Sequence, residues 1–101
     1  MYLVQILLPL RDNHGKPLPH ELYGTVRHEM SERFGGLTAF TRAPAEGLWH
    51  GSDRSYRDDI VTLEVMVEEL DRSWWAEYRE SLEQRFRQEE VVIRAQPIEL
   101  L

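Results

Sequence analysis

The sequence predicts an α+β domain, a sheet with two helices on one face, and three observations predict it. Segments of strand period and helix period follow one another in the order β-α-β-β-α-β. A chain of 101 residues with 42% hydrophobic content supplies one core and not two. No repeat, low-complexity tract or linker divides it, so residues 1–101 are expected to form a single domain.

The first strand is read at Tyr2 to Leu8, a short apolar run ended by the turn formers of "RDNHGKPLP". After Pro19, tolerated in a first helical turn, Leu22, Val26, Met30 and Phe34 recur every four residues and give the first helix one buried face. Gly35 and Gly36 follow that helix. A phosphate-gripping glycine loop precedes a helix, where free amides face the anion, so this pair is read as a helix stop and an abrupt entry into the next strand. "LTAFTR" is the second strand. "DIVTLEVMV" is the third, with Val61, Leu63, Val65 and Val67 on its core side. The second helix opens at Asp71, which can cap free amides while Leu70 packs on Trp75, and Trp75, Tyr78, Leu82 and Phe86 form its buried stripe. "EEVVIRAQPIEL" is the fourth strand, and Pro97 places its far end at a sheet edge.

Two crossover units of this kind interleave most simply as a four-stranded antiparallel sheet in the order 4-1-3-2, with both helices on one face. This is the ferredoxin-like βαββαβ plait. The stretches "ERFGGLTAFTRAPAEGLW", "DDIVTLEVMV" and "WWAEYRESLEQRFRQEE" resemble small bacterial proteins of unassigned activity over most of the chain. That resemblance implies one intact domain and no catalytic residues.

Composition removes several function classes. Eighteen acidic against twelve basic residues leave a net charge of -6, which repels phosphate backbones and anionic lipid heads, so neither nucleic acid nor membrane is an expected partner. The absence of cysteine removes disulfides and thiolate chemistry. The apolar start "MYLVQILLPL" lacks a basic leader and is too short to span a bilayer, which makes a cytoplasmic location the expectation. No cofactor and no metal is expected: His20 and His28 stand about two helical turns apart, and His28 with Glu32 is ordinary surface-helix spacing.

The strongest functional signal is the sheet face that the helices leave open. Alternation places Leu3, Gln5, Leu7, Thr38, Phe40, Arg42, Thr62, Glu64, Met66, Val92, Arg94 and Gln96 there. Apolar residues gathered on such a face mark a contact surface. Gln5, Arg42, Glu64 and Arg94 are its polar candidates, with Glu64 expected to be ionised and held by Arg94, Arg42 or both, and Gln5 completing the hydrogen bonds. The long connection from Ala43 to Asp59 adds Trp49, too large and apolar to expose freely, and His50, a candidate general base. Two readings follow. One is a small non-catalytic homodimer that binds a small molecule or protein on its open face through Gln5, Phe40, Arg42, Trp49, His50, Glu64 and Arg94. The other is a cofactor-independent enzyme of the dimeric α+β barrel type, moving a proton with His50 or Glu64.

Overall fold

A computed structural model describes residues 1–35, 39–45 and 58–101, with residues 39–45, 58 and 59 described by their backbone. Its elements are β1 (Tyr2–Pro9), α1 (His20–Phe34), β2 (Ala39–Ala45), β3 (Asp58–Val67), α2 (Arg72–Arg85) and β4 (Val92–Pro97). The fold is α+β. Its centre is an antiparallel three-stranded sheet, β3-β1-β4, with β1 in the middle. The backbone of β2 runs antiparallel along the outer side of β3, which makes the full order β2-β3-β1-β4. β2 and β3 both reach into the stretch that the sequence reads as a connection, β2 to Ala45 and β3 back to Asp58.

Register explains where the core forms. Val4 lies opposite Val65, Ile6 opposite Leu63, and Leu8 opposite Val61, so the even positions of β1 and the odd positions of β3 share one face. α1 packs on that face against β3 through Tyr23, Val26 and Met30, and α2 packs against β4 through Trp75, Tyr78 and Leu82. Ile6, Leu8, Val26, Met30, Leu63, Leu82 and Phe86 have no accessible surface. Tyr23 is the core residue that the four-residue stripe omits. Its ring meets Phe86 edge-on at 5.2 Å, and its hydroxyl donates to the Pro9 carbonyl at 2.6 Å, tying α1 to the end of β1.

The helix ends follow local chemistry. Pro19 stands at the N-cap of α1 in extended conformation, and Gly35 closes the helix with φ 75, where glycine has no Cβ penalty, its N–H donating to Ser31. Asp71 caps α2, its Oδ1 accepting from the Trp74 N–H at 3.1 Å. Beyond α2, Arg87 takes φ 52, a left-handed turn by a residue with a side chain. Two bonds brace it: Gln88 N–H donates to the Glu83 carbonyl, and Asn13 N–H donates to the Arg87 carbonyl. The turn after β1 is organised by Asp12, whose Oδ1 accepts from the backbone N–H groups of His14 and Lys16.

One polar clasp joins the helices. Glu29 of α1 accepts from the Tyr78 hydroxyl and from Arg85 Nη1 of α2, each at 2.7 Å. Beside it, Trp74 stacks on Tyr78 at 5.0 Å, Phe34 stacks on Trp75 at 5.3 Å, and the Arg33 guanidinium lies 4.1 Å over the Trp74 ring. Burial pushes the Glu29 carboxyl up, but the hydrogen bonds from Arg85 and Tyr78 outweigh it and hold the group below its ordinary value.

Two expectations follow. Leu82→Ala removes a side chain with no accessible surface and should cost about 3 to 5 kcal/mol in urea unfolding. The Glu29 carboxyl is depressed in the folded state, so its contribution to stability is complete above the ordinary value of 4.5 and is lost as pH falls through the lower, folded value. The stability gap between wild type and Glu29→Gln should therefore be wider at pH 7 than at acid pH below the folded value, measured by urea unfolding across that range.

Candidate functional site

The face turned away from the helices is read from the other row of β1. Gln5 lies opposite Glu64 on β3 and opposite Arg94 on β4, so one register line places an acid, an amide and a base side by side on three strands. Gln5 Nε2 donates to Glu64 Oε2 at 2.8 Å, and Arg94 Nε donates to Gln5 Oε1 at 2.7 Å. The amide has one orientation that satisfies both neighbours: a carboxylate only accepts and a guanidinium only donates, so nitrogen must face Glu64 and oxygen Arg94. Sequence alternation expects Glu64 to be held by Arg94 or Arg42 with Gln5 in support. The structure instead makes Gln5 the link. Two strand spacings separate the β3 and β4 backbones by roughly 10 Å, and the amide fills the middle of that gap.

The neighbouring register lines are less polar. Toward one end of β1 lie Met66, Leu3 and Gln96, and toward the other lie Thr62, Leu7 and Val92. Met66 is exposed at 39%, Leu3 and Val92 are half-buried, and Leu7 is buried at 1% outside the cluster beneath the helices. Leu7 is thus unavailable as part of an open patch. What the face offers is Met66 and Leu3 beside the half-buried pair Gln5 and Glu64 and the exposed Arg94.

Two of the residues assigned by alternation move. In the backbone register Phe40 lies opposite Leu63 and Arg42 opposite Val61, the line of core positions, whereas Ala39 lies opposite Glu64 and Thr41 opposite Thr62. Counting from "LTAFTR" put β2 out of phase by one residue, and with a period of two that exchanges the faces. Phe40 and Arg42 are therefore placed off the row of Gln5 and Glu64. Trp49 and His50 lie outside the described residues, as does Thr38. The structure brings together Gln5, Glu64 and Arg94.

A second locus is an open cleft of about 380 Å³ between α2 and β4, lined by Arg79, Glu83, Glu89, Glu90 and Val91 to Ile93. Its Glu83 has structural work already: Oε2 accepts from Arg79 Nη1 at 2.9 Å and from the Val91 N–H at 3.0 Å, fixing the start of β4. Among the described residues no group of three His, Cys, Asp or Glu side chains is placed to hold a metal ion, and no helix is long and apolar enough to cross a membrane.

No family model and no curated protein sequence matches the chain. Among solved structures, the chain is similar to a phage SAM lyase in complex with S-methyl-5'-thioadenosine, with a TM-score of 0.56 and 16% sequence identity over 94% of this chain and 79% of that one. At that identity the likeness is one of fold, and no comparison supports the resemblance to small bacterial proteins.

In a single copy of the chain, Arg94 is exposed and its hydrogen bond to Gln5 is open to screening. A double-mutant cycle of Glu64→Gln and Arg94→Met should therefore give a coupling of about 0 to 1 kcal/mol. Gln5→Met breaks both bonds at once but leaves the two charges open to water, and should cost about 0.5 to 1.5 kcal/mol. Urea unfolding at high dilution measures both.

Proposed function

We propose that the protein is a small non-catalytic binding module whose open sheet face receives either a small molecule, at Gln5, Glu64 and Arg94, or a second copy of the chain, as a homodimer. With β2 completing the sheet, the architecture is a ferredoxin-like plait, whose helices cover one face and leave the other for contact. The observation that carries the reading is the hydrogen-bonded row of Glu64, Gln5 and Arg94 on a face that also presents Leu3 and Met66. Single polar residues on an open sheet face can be left to water. Here the central amide is held from both sides by opposite charges, which sets the carboxylate and guanidinium in fixed places before anything binds.

The chemistry of the row selects a class of ligand. A zwitterion such as an α-amino acid end offers an ammonium group to Glu64 and a carboxylate to Arg94, while Leu3 and Met66 take an adjoining apolar part. Fold likeness to a protein seen with S-methyl-5'-thioadenosine adds a reason to try sulfur-bearing nucleosides first, and S-adenosylmethionine joins such a nucleoside to an amino acid end.

The test is an NMR titration of the protein with S-adenosylmethionine and, separately, with S-methyl-5'-thioadenosine. Saturable shifts at Gln5, Glu64 and Arg94 with the first, much weaker with the second and abolished by Gln5→Met, are the expected result. An unperturbed row at millimolar ligand would remove this function. Breakdown of S-adenosylmethionine faster than in a protein-free control would make the protein an enzyme.

A further inference from the structure

We infer that the second copy docks on the open face with the dimer two-fold axis running along β1, so that Glu64 of each copy meets Arg94 of the other. This rests on the proposed reading of the open face as a contact surface and adds which way round the partner sits. Sheets packed face to face keep their strands roughly aligned, so a two-fold axis between two identical sheets runs either along the central strand or across it. The two choices have opposite electrostatic consequences.

An axis along β1 keeps each register line facing its own counterpart and exchanges left with right. The line Glu64, Gln5, Arg94 then faces Arg94, Gln5, Glu64 of the other copy, and both ends of the row are attractive. Leu3 faces Leu3, and Met66, the exposed apolar side chain of this face, meets the stem of Gln96. An axis across β1 through Gln5 leaves left and right unchanged. Glu64 then faces Glu64 and Arg94 faces Arg94, like charges that desolvation makes costly.

The atoms needed are at hand. The contacts to Gln5 use Oε2 of Glu64 and Nε of Arg94, and neither uses Oε1 or the terminal guanidinium nitrogens. Each copy can keep its internal row while pairing across, giving a closed ring of alternating charge around two facing amides. A small zwitterion on Gln5 and a second copy draw on the same two charges and therefore compete.

Charge reversal separates the two orientations, read by sedimentation of the full chain with circular dichroism as the check on folding. Wild type is expected to be dimeric at micromolar concentration. Glu64→Arg sets Arg on Arg across the interface and Arg94→Glu sets Glu on Glu, and each should weaken association by at least about tenfold. The exchange Glu64→Arg with Arg94→Glu in one chain restores opposite charges across the interface, and the Gln5 amide can turn over to serve the reversed neighbours, so the dimer should return. A monomeric wild type, single reversals that leave association unchanged, or a folded exchange variant that stays monomeric would each overturn the inference. Titrating the same samples with S-adenosylmethionine keeps the readings apart, because shifts at Gln5 in a monomeric wild type leave the small-molecule reading standing and remove this one alone.

Discussion

Everything in this fold depends on the pairing of β1 with β3 in a single register. β1 is the central strand, bonded on one side to β3 and on the other to β4, so its two rows of side chains define both the core and the surface opposite. Val4, Ile6 and Leu8 enter the core beneath the helices, and Leu3 and Gln5 stand on the other face. A slip of β1 by one residue against β3 would drive Gln5 under the helices and push Ile6 outward, while Glu64 and Leu63 of β3 kept their faces. The burial of Val4, Ile6 and Leu8 and the desolvation of the Gln5 amide both oppose that slip.

The polar row acts in the same direction. A hydrophobic row tolerates small displacements, because dispersion is not directional, whereas a carboxylate, an amide and a guanidinium bond well only when the three strands are aligned. Gln5 is the residue that makes this sensitive to both neighbours at once: it donates to β3 and accepts from β4. A second acid or base at its position could satisfy one strand only. The same row therefore also positions β4, the strand at one end of the sheet formed by the described residues.

The helices leave that face open because their own polar contacts hold them to the opposite side. Glu29, Tyr78 and Arg85 close the gap between α1 and α2, and the Tyr23 hydroxyl fastens α1 to the end of β1. Glu83 fastens the start of β4 to α2 in the same way. These bonds lie around the rim of one apolar core, where a charged group can be paired without full loss of water. The aromatic ledge of Phe34, Trp74 and Trp75 extends the core to the rim, and Arg33 over Trp74 gives it a polar edge.

Much of this was legible in the residues alone. Periodicity located the helices, the three strands β1, β3 and β4 and the two buried rows of β1 and β3, because a buried face leaves a repeat of two or of about four in the sequence. Gly35 and Asp71 announced their caps, since a left-handed φ and an exposed amide each suit few residue types. Gln5, Glu64 and Arg94 were also identifiable as one polar set, but not the linkage among them, in which Gln5 stands between the charges. The phase of β2 escaped the sequence as well. "LTAFTRAPA" carries too weak an alternation to tell one face from the other, and only its backbone pairing with β3 set Phe40 against Leu63. Tyr23 was hidden because its burial depends on a carbonyl of β1 and a ring from the end of α2, partners distant in the chain. Local chemistry therefore determined which segments are helix or strand and, for the helices and for β1, β3 and β4, which side each one buries, whereas the phase of β2, the register and the meeting of distant polar groups were decided by the tertiary structure, because these are relations between segments that no single segment encodes.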